Sequence, residues 1–148
     1  MRKEQSVVRL PGSYLREIVE HARDGSPNEV CGLIAGRGGY PVKLYRTTND
    51  DPNPRVRYNV EPRELLEIHR EIEENGWSLM AIYHSHPASE AYPSETDVRL
   101  SYYPDAVYLI CSLADEDPVV RAFRIVDRQV TELALEVEVE TEGQRHAS

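Results

Sequence analysis

The chain has 148 residues, 40% of them hydrophobic, with 17 Lys and Arg against 26 Asp and Glu and a net charge of −9. That length fits one domain able to bury most of its apolar surface without a structural disulfide or metal. An acidic balance with no basic stripe excludes a nucleic-acid footprint, and the longest nearly apolar run, Ala106 to Ala114, is about half the ~20 residues of a membrane span.

In chain order, Leu15, Ile18, Val19 and Ala22 recur at helical spacing between Gly12 and Arg23, which predicts an amphipathic helix ended by Gly25. Glu29 to Ala35 and Tyr40 to Thr47 read as two strands joined by a Gly-rich hairpin at 36–39. Asn49-Asp50-Asp51-Pro52-Asn53-Pro54 is a loop by composition, and Arg55 to Val60 is expected as a short strand. Pro62 suits the first turn of a second helix with Leu65, Leu66, Ile68 and Ile72 on its buried face and Gly76 as its stop. Trp77 to His84 is an apolar strand, and Val107 to Leu113, Val119 to Val126 and Gln129 to Val137 read as three more. The alternation predicts an α/β (α+β) domain over 1–137, a mixed central sheet flanked by helices, with 138–148 as an acidic, mobile tail.

Cys31 and Cys111 sit in apolar runs without a Cys-x-x-Cys, so both are expected as small buried hydrophobes. No apolar stretch long enough for a signal peptide follows the basic start Met-Arg-Lys-Glu-Gln, which predicts a soluble, cytoplasmic protein. The oligomeric state is not legible.

The chemistry concentrates between Tyr83 and Asp97. In an extended chain His84 and His86 point the same way, so two imidazoles can serve one point. Pro87 ends the strand, and the chain returns at Pro93-Ser94-Glu95-Thr96-Asp97, which opens a helix with Asp97 in its first turn. Two imidazoles and a carboxylate suit Zn²⁺ with a fourth position left for water, whose pKa an open zinc site brings down to roughly 7. Glu29, opening an apolar strand, is a candidate general base. Taken alone, His-x-His also reads as exposed alternation, and Ser94 to Asp97 as a capping box.

Glu29, His84-Ser85-His86-Pro87, six intervening residues, then Ser94-x-x-Asp97 resemble the motif of the JAMM (MPN+) metalloproteases, and the resemblance covers the chain from Ser6 to about Val137. It implies a JAMM/MPN-like (cytidine-deaminase-like) fold and one Zn²⁺ per chain held by His84, His86 and Asp97. It further implies that Glu29 carries the proton and that Ser94 helps hold the oxyanion. The stretch from His84 to Ser94 is most similar to small actinobacterial members that release cysteine from the C-terminus of a ubiquitin-like sulfur-carrier protein in cysteine biosynthesis. The implied substrate is therefore an amide bond after a C-terminal Gly-Gly, with the tail expected to add to a strand edge beside the site. Glu90 and Tyr92, in the loop between the ligands, are candidate substrate contacts. Three other readings stand beside this one: an isopeptidase releasing lysine-linked ubiquitin-like proteins, a non-catalytic MPN scaffold, and a cupin-like oxygenase built on His84, His86 and Glu90. The cupin reading conflicts with the two helices, and a zinc deaminase would need a Pro-Cys-x-x-Cys that is missing. His69 is expected at the edge of the core, and His21 and His146 have no spaced partners.

Overall fold

A computed structural model describes residues 6–139. The elements are β1 (Val7–Pro11), α1 (Gly12–Gly25), β2 (Cys31–Arg37), β3 (Tyr40–Thr47), α2 (Pro62–Glu74), β4 (Ser78–His86), α3 (Glu95–Arg99), β5 (Val107–Ser112), β6 (Val119–Val126) and β7 (Gln129–Glu138). Seven strands form one mixed sheet in the order β1-β7-β6-β5-β4-β2-β3. The β1–β7 and β4–β5 pairs are parallel and the others antiparallel. The expected mixed sheet flanked by helices is therefore present.

Alternation along the central strands gives each face its own core. Ile18 and Ala22 of α1 pack with Ile34, Tyr83 and Leu109 on one face. Ile68 and Ile72 of α2 pack with Leu33, Ile82 and Tyr108 on the other. Two glycines admit this packing. A Cβ on Gly32 would lie 2.2 Å from the Tyr83 ring, and one on Gly25 would lie 2.2 Å from Val30 Cγ1. Gly32→Ala is expected to cost about 3 kcal/mol, the upper part of the overpacking range, read as a lower urea midpoint.

Gly25 ends α1 as expected, and it also gives room to Val30. Two local expectations change. Leu66 is 54% exposed, because Leu65, Ile68 and Ile72 share one stripe and position 66 lies about 100° round the helix from Leu65. The strand expected at Arg55 to Val60 is a turn and an extended loop with a single bridge, Asn49 to Val60. Its backbone bonds go elsewhere: Arg57 O and Asn59 N are both taken by the side chain of Asn49. Gly76, at φ +69, ends the second helix as expected. Of the expected tail, 140–148 lie outside the described residues, whereas Glu138 still pairs with Pro11. Among the described residues no helix is long and apolar enough to cross a membrane.

Both cysteines are fully buried free thiols, and burial pushes each up to about 11. His21 packs against Tyr83 (Nδ1 to Oη 2.7 Å). Burial, then the Arg46 charge, lowers the imidazole from 6.5 to about 4, against the opposing pull of Glu17 and Asp24. Between those pH values the unfolded chain binds a proton that the folded one refuses, so the contribution of His21 to stability falls as pH drops from about 6.5 to about 4. The difference in urea midpoint between the parent and His21→Gln should therefore shift against the parent as pH goes from 7 to 5.

Candidate metal centre

β4 is interior to the sheet, and its last six residues, Ala81 to His86, are all buried. His84 and His86 continue the face that Ile82 gives to α2, but they lie past the region that α2 covers, where the 49–60 loop and α3 take over. The shared face brings both Nε2 atoms to one point, 3.2 Å apart. Asp97 Oδ2 completes it at 3.1 Å from His84 Nε2 and 3.0 Å from His86 Nε2.

Asp97 arrives there through a helix cap. Ser94 Oγ accepts from Asp97 N at 3.0 Å, and Asp97 Oδ2 accepts from Ser94 N at 2.9 Å. The capping box and the cluster thus share one oxygen, so the two readings of this tetrapeptide coexist. Burial alone would raise the Asp97 carboxyl. His84, His86 and the Ser94 N–H override it and hold the carboxyl well below the usual carboxylate range.

The donor set calls for a cation. His86 Nδ1 donates to the Glu90 carbonyl at 2.7 Å, and since a carbonyl only accepts, that nitrogen carries the hydrogen. Nε2 is then left facing the Asp97 carboxylate, a pairing that a cation between them, a proton or a metal ion, satisfies. Metal bonds of about 2.0–2.1 Å in tetrahedral geometry set donor atoms about 3.3 Å apart, close to the three separations seen. His84, His86 and Asp97 are the group among the described residues that could hold an ion.

Glu29 precedes β2. Continuing the register Cys31↔His84 by two residues sets it opposite His86, on the same face. Ser85 pins this extension, with Ser85 N donating to Val30 O at 3.1 Å and Val30 N to Ser85 Oγ at 2.9 Å. The Glu29 side chain is buried and its Oε1 has no hydrogen-bond partner. Burial raises its carboxyl to about 8; His86 pulls it down, and Asp97 and Asp51 push it further up.

The loop between the histidines and α3 is held from beneath. Ser112 Oγ donates to Ser89 O at 2.5 Å, and Ala91 packs on Ile110 and Phe123. Glu90 contributes its carbonyl while its side chain is exposed, and Tyr92 sits on the rim, its ring against Phe123 and Arg121. His69 is half-buried against Tyr103, at the core edge as expected. Beside Asp97 opens a cavity of about 250 Å³ lined mainly by Tyr58, Val60, Leu65, Leu100, Tyr103 and Tyr108.

Residues that sequence reasoning passed over are Ser85, Ser112, Asn49 and Tyr58. The Asn49-Asp50-Asp51 run carries a usable signal for one of them, because Asn49 Oδ1 accepts from Asp51 N in an Asx turn. Nothing in the sequence marks Tyr58.

The family model describing prokaryotic homologues of the JAB domain matches residues 11–126. The chain is 39% identical over 129 residues to the CysO-cysteine peptidase of Mycobacterium tuberculosis, covering 85% of this chain and 88% of that protein. It is 40% identical over 101 residues to the desampylase of Haloferax volcanii, covering 64% of this chain and 73% of that protein. The solution structure of a protein from Desulfitobacterium hafniense superposes with a TM-score of 0.80 at 36% identity, covering 94% of this chain and 98% of that one.

Proposed function

The chain belongs to the JAMM (JAB/MPN) family of hydrolases, and from that membership we propose that it is a zinc-dependent peptidase cutting the amide bond after the C-terminal Gly-Gly of a ubiquitin-like sulfur-carrier protein, releasing cysteine for cysteine biosynthesis. The observation that carries the chemistry is the meeting of two imidazole nitrogens and one carboxylate oxygen within 3.0–3.2 Å, opposite a buried carboxyl with an unpaired oxygen. The substrate rests on likeness to a protein named CysO-cysteine peptidase, 88% of whose length is matched. A cytoplasmic setting agrees with two buried free thiols.

His84, His86 and Asp97 hold the ion. Zinc bound there supplies Lewis acidity, which acidifies a water and polarises the scissile carbonyl. Glu29 takes the proton of the attacking water and delivers it to the leaving nitrogen. Ser94, whose oxygen already accepts from Asp97 N, keeps its hydroxyl hydrogen for the carbonyl oxygen as negative charge gathers there. A cap alone is worth about 1 kcal/mol. Ser94→Ala is expected to lower kcat about 100-fold beyond that, the cost of one oxyanion donor, in steady-state assays at saturating substrate.

The deciding experiment incubates zinc-loaded protein with a Gly-Gly-tailed sulfur carrier bearing a C-terminal cysteine and reads the mass. Loss of one cysteine supports the proposal; an intact carrier overturns it. Likeness to the desampylase favours a second reading, cleavage of lysine-linked conjugates, which the same assay separates by offering an isopeptide-linked carrier. The scaffold reading requires that zinc be absent after equilibrium dialysis at neutral pH.

A further inference from the structure

Two imidazoles converge at the centre, and among the described residues only one is held from behind by a hydrogen bond. His86 Nδ1 is bonded to the Glu90 carbonyl at 2.7 Å, the common device that fixes the ring and tautomer of a ligating histidine. His84 Nδ1 is buried with no hydrogen-bond partner among the described residues. Against its face lies Tyr58, ring centroids 4.4 Å apart and planes inclined by 23°, while His86 meets it edge-on at 62°.

We propose that Tyr58 is a positioning residue that holds His84 by ring stacking, in the orientation aiming Nε2 at the ion, in place of the missing outer hydrogen bond. The proposal rests on the metal-binding reading above and extends it to a side chain outside the family's motif.

Tyr58 is well placed to do this because its backbone is clamped on both sides by one residue. Asn49 Nδ2 donates to Arg57 O at 2.9 Å, and Asn49 Oδ1 accepts from Asn59 N at 3.0 Å. Asp50 N donates to Asn59 O at 2.9 Å, and the Asn49–Val60 bridge closes the loop. The same loop grips the segment that leads into β2: Asn49 Nδ2 also donates to Glu29 O at 2.9 Å, and Glu29 N donates to Pro54 O at 2.7 Å. With its amide donors and acceptor all engaged, Asn49 fixes the Tyr58 backbone relative to the sheet. Tyr58 also lines the cavity beside Asp97, so a smaller side chain there would enlarge the space next to His84.

The test compares Tyr58→Phe and Tyr58→Leu with the unchanged protein. Zinc affinity is read by chelator competition, and ligand geometry by the visible spectrum of the Co²⁺-substituted protein. Tyr58→Phe keeps the ring and should bind zinc within about threefold of the parent. Tyr58→Leu removes it and should bind about 10–100-fold more weakly, as loss of an outer-shell partner does, with altered Co²⁺ bands. Tyr58→Met replaces the leucine variant if that chain does not unfold cooperatively in the absence of metal. Parental affinity and an unaltered Co²⁺ spectrum in the ring-less variant would overturn the proposal. Failure of the metal reading looks different: the parent protein itself would take up no stoichiometric zinc.

Discussion

Glu29→Gln is expected to leave zinc bound and to cut kcat about 10³-fold, within the range for loss of a general acid–base. The amide fills the same buried space but cannot accept the proton of the attacking water or pass it on. KM should change little, because Glu29 is not among the three donors that converge. A dication between His84, His86 and Asp97 acts in the same downward direction as His86 on the Glu29 carboxyl, which burial otherwise raises to about 8. In the metal-free protein the folded Glu29 keeps a proton that the unfolded chain has lost above about 4.5, so its own contribution to stability falls as pH rises from there towards 8. Glu29→Gln should remove that slope in urea titrations. Full turnover with zinc bound would refute the proton-transfer role.

Asp97→Asn is expected to separate the two uses of one oxygen. An asparagine carbonyl can still accept from Ser94 N, so the cap over α3 survives, and the metal-free variant should still unfold cooperatively. The ion loses its only anionic ligand in the cluster. Zinc affinity should drop by more than the ~10–100-fold of an outer-shell change, and activity at stoichiometric zinc should vanish. Metal analysis after dialysis reads the first effect, and the carrier-cleavage assay the second. Had Asp97 been only a capping residue, the variant would keep its zinc and its turnover.

The site was the most legible part of the sequence, because its geometry is local. Period-two alternation sends His84 and His86 to one side, and a capping box sets Asp97 in the first turn of α3, both within fourteen residues. Leu65, Ile68 and Ile72 marked the buried stripe of α2 for the same reason, whereas Leu66 and the supposed strand at 55–60 misled because apolar character alone does not say what a segment packs against.

What the sequence determined by itself was the set of residue types able to bind a cation and move a proton, together with the helices and strands whose periodicity carries them. The tertiary structure decided which side of the sheet Glu29 shares, through the β2–β4 register and the Ser85 clamp, and which ring backs His84, through the four bonds of Asn49. The first depends on segments 55 residues apart, so that no short window of sequence contains both halves of the bond; the second rests on bonds 8 and 10 residues apart, where each backbone group takes whichever partner the folded loop brings near.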